Sequence, residues 1–394
     1  MSRFVAGNDT EAPGLNRSRQ RIFFLVSLLL VTAAGFWFLF GGLRGSVQEE
    51  AHYQGQSVTG EWLTLRLFSP KGLRVEDSTP SVSGSLITRT NVLSIAGVIH
   101  SNRITGHLWL QKDGQSSRTI GTLEGAIRGS TVACSWREGF GLENPVGDAV
   151  LHLIGAEKHY SKKRAVGLGR YGASYEARVS FPVLDPTFVG SGKVNEAIDQ
   201  TAVSDIRTFF DGFWGNVWEF LRLPSATFPW TSYTEFEVKL VTTNFLSACS
   251  VNHWYTGGAH GNYFYTSFNY FGETAESTEP FDLRAIMGED GIRRCSDICL
   301  ERLREQGASS VLDGFIEELS LEELSVFTVN PWGLVFHFSP YAVGSYVQGA
   351  FHVMVPAIEV SDMVSHSTVG KALQAYWQAQ SRLYLPAGSR EDDL

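Results

Sequence analysis

From Ile22 to Gly42 the chain reads IFFLVSLLLVTAAGFWFLFGG, 21 residues without a charge. A helix of that length, at about 1.5 Å per residue, covers a hydrocarbon core of roughly 30 Å. A chain that carries it is predicted to be held at a membrane and to fold its remaining mass on one side. Arg17, Arg19 and Arg21 precede the run and only Arg44 follows it closely, so the positive-inside rule places the N-terminus in the cytoplasm. The expected topology is a single-pass protein of the inner (cytoplasmic) membrane: residues 1–21 cytoplasmic, 22–42 a transmembrane anchor, and the bulk in the periplasm or outside. The competing reading is a cleavable signal peptide with Val31 and Ala33 as the small residues before a cut. Against it, the apolar run continues through Phe36, Trp37, Phe38, Leu39 and Phe40.

Composition then limits what the exported part can be. With 43% hydrophobic residues, 26 Phe, 13 Tyr and 10 Trp among 394 residues, the chain is too apolar to be disordered and long enough for two or three domains. Acidic residues number 41 against 32 basic ones, which argues against a nucleic-acid partner, since affinity for phosphate is carried by clustered Lys and Arg. The imbalance is concentrated: residues 166–394 hold 14 basic and 28 acidic residues, while residues 43–165 hold 14 and 11. An acidic C-terminal part favours basic protein partners. Four cysteines make neither a disulfide scaffold nor a Cys-rich zinc module. Cys295 and Cys299 fall four apart on one face of a predicted helix, and whether any of the four pair is left open.

Two textures follow the anchor. Residues 53–160 alternate in short apolar runs (WLTLRLF, LSIAGVIH, ITGHLWLQ, STVACSW) broken by Gly, Asn and Ser, the pattern of an all-β meander closed as a barrel or stacked as a sandwich. Lys162, Lys163 and Arg164 followed by GLGRYG suggest a linker over 161–173. Residues 174–366 mix longer elements: the strand YEARVSFPVL, a helix over Val194–Leu223, the strands TEFEVKL, FLSACSVNHWY and NYFYTSFNYF, a helix over Ile292–Gln306, a second near Val311–Leu319, and the strands LSVFTVN, GLVFHFS and FHVMVPA. That order predicts an α+β domain, an antiparallel sheet with helices packed on it, followed by a C-terminal helix and tail over 367–394.

Chemistry is sparse. Gly167, Gly169 and Gly172 match a dinucleotide fingerprint by letter, but a strand rather than a helix follows, so no pyrophosphate site forms. No GxSxG, SxxK, HExxH, P-loop or CxxC occurs. His253, His260, His337 and His352 lie on neighbouring predicted strands, without the spacing of a compact metal motif, and neither a metal nor another cofactor is expected. The most informative stretch is Tyr255-Thr256-Gly257-Gly258-Ala259-His260-Gly261-Asn262. Its three glycines permit positive φ and close backbone approach, so it is either a plain hairpin turn or a turn that presents His260 and Asn262 to a partner. A second is Pro340–Gly349, where Tyr341 and Tyr346 stand five apart with glycines at 344 and 349.

Taken together, YTGGAHGN at 255–262, Phe281-Asp282-Leu283 before a helix, and WGLVFHFSPYAVGSYVQG at 332–349 followed by FHVMVPAIEV resemble the C-terminal domain of RsiV-like proteins. The strand and helix from Tyr175 to about Leu223 resemble the companion domain found beside it there and in PdaC-like peptidoglycan deacetylases. YVQG stands here where the family pattern has YAAG. The resemblance implies an extracytoplasmic recognition domain that binds a lysozyme-like protein or accompanies a cell-wall enzyme, with Tyr255, Gly257, Gly258, His260, Asn262, Tyr341 and Tyr346 as ligand-binding residues. The 21 residues before the membrane are too few for a sigma-factor-binding domain, and no deacetylase catalytic domain is present. The expectation is therefore a membrane-anchored cell-envelope protein that binds a protein or peptidoglycan ligand without catalysis. The alternative is a cell-wall hydrolase or deacetylase accessory in which His260 works with an acid such as Asp282 or Glu237.

Overall fold

The alternating runs after residue 45 pair in sequence order. β1 (Ser46–Gln56), β2 (Trp62–Phe68), β3 (Ser81–Ile87), β4 (Val92–His100), β5 (Arg103–Leu110), β6 (Arg118–Arg128), β7 (Thr131–Glu138) and β8 (Val146–Leu168) each lie antiparallel to the one before, and β1 pairs back onto β8. The meander is thus a closed eight-stranded barrel, an arrangement that leaves no free edge along the paired strands. The computed structural model that shows this describes residues 46–57, 61–68, 81–87, 92–110, 118–138, 146–168, 171–186, 188–220 and 230–383; the apolar run 22–42 lies outside the described residues. Period-two alternation sends Leu63, Leu65, Leu93, Ile95, Ile104, Leu108, Leu123 and Leu151 into one buried cluster that fills the barrel.

β8 belongs to two structures at once. His152 pairs with Gln54 of β1 and with Thr131 of β7, whereas His159 pairs with Ser46 of β1 and with Ser180 of β9 (Tyr171–Leu184). β9 therefore follows β7 along the same edge of β8 and carries the sheet out of the barrel. Of residues 161–173, expected as a linker, 161–168 and 171–173 are paired ends of β8 and β9, with Leu168 opposite Tyr171. A two-stranded ribbon is held by backbone hydrogen bonds and needs no apolar alternation, so its basic, glycine-rich sequence reads as a connection.

α1 (Ser191–Phe220) buries Val194, Ile198, Ala202, Ile206, Phe210 and Phe213, a stripe at helical spacing. It crosses to β10 (Trp230–Val241), which runs parallel to β9 rather than antiparallel as expected. A helical crossover returns the chain to the end at which the previous strand began, which makes the next strand parallel. β11 (Phe245–Tyr255), β12 (Asn262–Phe271) and the short β13 (Glu279–Pro280) complete the sheet by antiparallel pairing. Then come α2 (Leu283–Ile286), α3 (Glu289–Glu305) and α4 (Ser309–Leu312), a separate antiparallel sheet of β14 (Phe327–Asn330), β15 (Gly333–Phe338) and β16 (Phe351–Pro356), and α5 (Thr368–Leu383). The helix expected over Val311–Leu319 is the single turn α4, because the backbone turns left-handed at Gly314, φ +74°. Among the described residues no helix is long and apolar enough to cross a membrane.

The C-terminal core draws Cys295, Ile298, Cys299 and Leu303 from α3, Val329, Leu334, Phe336 and Val353 from the small sheet, and Leu373 and Trp377 from α5. Trp62 and Ile87 of the barrel belong to the same cluster. The seam between barrel and α+β part is also polar. Trp62 Nε1 donates to Lys239 O at 2.7 Å, Gln54 exchanges two hydrogen bonds with the Val241 backbone (2.5 and 2.8 Å), and Arg66 pairs with Glu235 at 3.0 Å. All four cysteines are free and buried.

Candidate functional site

The turn after β11 and the loop between β15 and β16, separated by some eighty residues, meet in space. Gly257 and Gly258 adopt φ of +102° and +100° with nothing within 4 Å of where a Cβ would stand. Glycine is needed there for its backbone freedom and not to relieve a clash. The turn closes on itself: the Tyr255 hydroxyl donates to Gly258 O at 3.0 Å, and the Tyr263 N–H donates to Asn262 Oδ1 at 2.9 Å. This folding sets His260 at the exposed tip, where its ring stacks on Tyr346 with centroids 3.9 Å apart and planes 17° from parallel. Tyr341 lies 5.5 Å beyond Tyr346. His260 Nδ1 is 2.8 Å from Gly261 O; a carbonyl only accepts, so Nδ1 is the donor in this contact.

Of the seven residues expected to bind ligand, His260, Tyr341 and Tyr346 form this three-ring surface. Gly257 and Gly258 shape the turn, and Tyr255 and Asn262 spend a polar atom each on fixing its ends. Tyr341 is 58% exposed and holds φ +70°, a left-handed conformation that costs a non-glycine residue about 1 kcal/mol.

Three residues that sequence reasoning passed over hold the surface together. Gln348 accepts from Ser309 N–H (3.2 Å), Ser309 Oγ–H (2.6 Å) and Ser345 N–H (3.2 Å), and donates to Gly307 O at 2.8 Å. Gln348, in the YVQG stretch, is therefore the anchor point of the loop, and a Cβ at Gly344 would press on its Oε1 and make that side chain shift. The Tyr263 hydroxyl accepts from Ala350 N–H at 3.0 Å, tying β12 to the end of the loop; burial pushes this phenol above its ordinary range. Ser339 Oγ accepts from Tyr265 N–H at 3.0 Å.

Beneath the surface lies a buried polar cluster. His337 and His352, opposite one another on β15 and β16, bring their Nδ1 atoms to 2.9 Å, and His337 Nε2 is 2.9 Å from Thr328 Oγ1. Tyr265 stacks on His337 at 5.7 Å and meets His352 edge-on at 5.1 Å. Burial and the nearby Lys239 hold the His352 imidazole down to about 4, and burial with His352 and Lys239 holds His337 well below its ordinary value. Burial alone would raise Glu237, but the Lys239 ammonium at 2.7 Å, with His352 and Arg66 nearby, keeps the carboxyl below its usual value. The four histidines considered as a metal set thus occupy three places, since His253 packs on Tyr263 at 5.2 Å. The acids considered as partners for His260 are committed elsewhere: Asp282 caps α2 by accepting from Ala285 N–H, and Glu237 pairs with Lys239.

The fold and the site define an α+β protein built onto a closed antiparallel barrel, with an aromatic surface at one end of its sheet. Residues 287–357, from the end of α2 to the end of β16, match the family described as "Protein of unknown function (DUF3298)". The match takes in Tyr341 and Tyr346 but not the 255–262 turn. The chain is also similar to two crystal structures: a DUF3298 family member from Bacteroides fragilis (16% identity, 56% of this chain and 99% of that one, TM-score 0.36) and a DUF3298 family protein from Pseudomonas aeruginosa (11% identity, 57% and 97%, TM-score 0.39). No curated protein matches the chain.

Proposed function

We propose that this is a membrane-anchored envelope protein of the RsiV-like kind, whose exported part binds a protein or peptidoglycan ligand through the surface of His260, Tyr341 and Tyr346, without catalysis. The observation that carries the reading is the stack of His260 on Tyr346, which joins the two sequence motifs into one exposed patch. Exposed aromatic rings on a braced loop supply contact area at low entropic cost, as recognition surfaces do. The acidity of residues 166–394 favours a basic ligand by steering.

The full chain in detergent is passed over immobilised hen lysozyme and over purified peptidoglycan at low salt. Retention on one of them, weakened at least tenfold by His260→Ala and by Tyr346→Ala and unchanged by the remote Ile358→Ala, is the expected result. Retention on neither, or equal retention by all variants, overturns the reading.

A further inference from the structure

Barrel, central sheet and small sheet meet over β10–β12. Those strands bring Glu237, Cys249 and Ser267 into one row, Glu235, Val251 and Tyr265 into the next, and Tyr233, His253 and Tyr263 into a third. Residues directly opposite on paired strands share a face, so the three rows form one surface. Over β10 it is bordered by the barrel, where Arg66 pairs with Glu235 and Ser85 Oγ accepts from Lys239 Nζ at 3.3 Å. Over β12 it is bordered by β15 and β16, whose His337 and His352 pack on Tyr265. Glu237 lies between the two, close enough to both that His352 and Arg66 each help to lower its carboxyl. The third row stays open, with His253 exposed and Tyr233 and Tyr263 partly so.

The polar groups at this junction are only half used. Lys239 and His337 are buried, but Glu237 keeps 30% of its side chain accessible, and Tyr265 and His352 are partly exposed. Among the described residues the Tyr265 hydroxyl and His352 Nε2 have no hydrogen-bond partner, and neither atom is sealed from solvent. Burial pushes the Tyr265 phenol up, so it keeps its proton. Burial also keeps both imidazoles neutral, each with a single N–H. The contact between their Nδ1 atoms needs one donor and one acceptor, and Thr328 Oγ1 at the far end of the chain serves as either. When His337 donates, His352 Nε2 carries the proton; when His352 donates, its Nε2 is an acceptor.

These groups favour one kind of ligand. Both cations are already paired, Arg66 with Glu235 and Lys239 with Glu237, so an ion would bring a charge without a counterpart. An apolar molecule would strip water from a carboxylate, a phenol and an imidazole and leave them without partners. A neutral molecule rich in hydroxyls satisfies all three, since a hydroxyl donates to the carboxylate and exchanges either role with the phenol and with Nε2. The open row adds rings for its C–H face: His253 and Tyr263 lie 5.2 Å apart, and Tyr263 lies 6.1 Å from Tyr265. Ligand sites favour such junctions between packed units, with a few convergent polar groups among aromatic ones.

We infer that the junction of Glu237, Tyr265 and His352 binds a neutral saccharide, whose hydroxyls these three groups hold. The site is separate from the His260–Tyr346 surface and goes beyond the reading above. The test is calorimetric titration of the full chain, in a detergent without a sugar headgroup, with a glucose trimer and with an N-acetylglucosamine trimer. Tyr265→Phe removes an oxygen that bonds to nothing among the described residues, so its melting midpoint should match the parent; it decides alone if Glu237→Gln does not fold. Saturable binding of at least one trimer at millimolar concentration or below, weakened at least fivefold by Tyr265→Phe and by Glu237→Gln and unchanged by Tyr346→Ala, is the expected result. No saturable binding of either trimer, or an affinity that Tyr265→Phe leaves untouched, overturns the saccharide site whatever the lysozyme and peptidoglycan columns show. Weakening by Tyr346→Ala to the same degree overturns it as a separate site.

Discussion

At the scale of single residues, the His337–His352 pair couples stability to pH. In an unfolded chain imidazole titrates near 6.5, whereas in the fold His352 is held to about 4 and His337 also well below its ordinary value. Between those limits the unfolded state binds more protons, so stability is complete above about 6.5 and declines as pH falls toward 4. A loss on the order of 3 kcal/mol from His352 alone is expected over that window, with His337 adding to it in the same direction, read as a falling urea midpoint. His352→Gln should flatten the slope; an unchanged slope would remove the pair as its cause. The carboxylate of Glu237, held below 4.5, contributes stability that is lost only at lower pH. Gln348→Ala should cost about 1–3 kcal/mol in the same measurement, since it leaves Ser309 and Gly307 without their loop partner. Beyond its local bond to Ser345, the worth of Gln348 was illegible in the sequence because it lies in bonds to Ser309 and Gly307, about forty positions away.

At the scale of elements, the 256–261 turn is a small device whose glycines set the direction of one imidazole. Gly257→Ala should cost about 1–2 kcal/mol through positive φ and tilt His260 off Tyr346. The check is ring-current shifts of the Tyr346 protons by NMR, which collapse in the variant if the stack is real and stay put if it is not. Most strands of the second half were legible because each buries an apolar run, as TEFEVKL and GLVFHFS do. Three features were not. The ribbon end of β8 carries no apolar alternation, the parallel pairing of β9 with β10 depends on where α1 returns, and the separation of β14–β16 into their own sheet is decided by packing of one face on another. The site was half legible: glycines and tyrosines advertised the two loops, but their meeting required the fold.

At the scale of the whole molecule, barrel and α+β part share a core and a strand, so they should unfold together. Trp62→Ala removes a barrel side chain from the C-terminal cluster and the hydrogen bond to Lys239 O, with an expected cost of about 3–5 kcal/mol. Near-ultraviolet dichroism and hydrogen exchange at β15 should report one common transition, shifted downward. Two separate transitions, or a fragment lacking residues 53–160 that melts like the intact protein, would show the barrel to be an independent module.

The position of β1 has a mechanical meaning. It is bonded on one side to β2 and on the other to β8, and it is where tension applied from the N-terminal side enters the barrel. Such a load pulls along the strand axis, so both ladders are strained in shear and their hydrogen bonds must give way together rather than one at a time. A protein gripped at residue 46 and at its C-terminal helix is therefore expected to resist stretching at its first strand, and in a force spectrum β1 would be the clamp whose rupture releases the barrel.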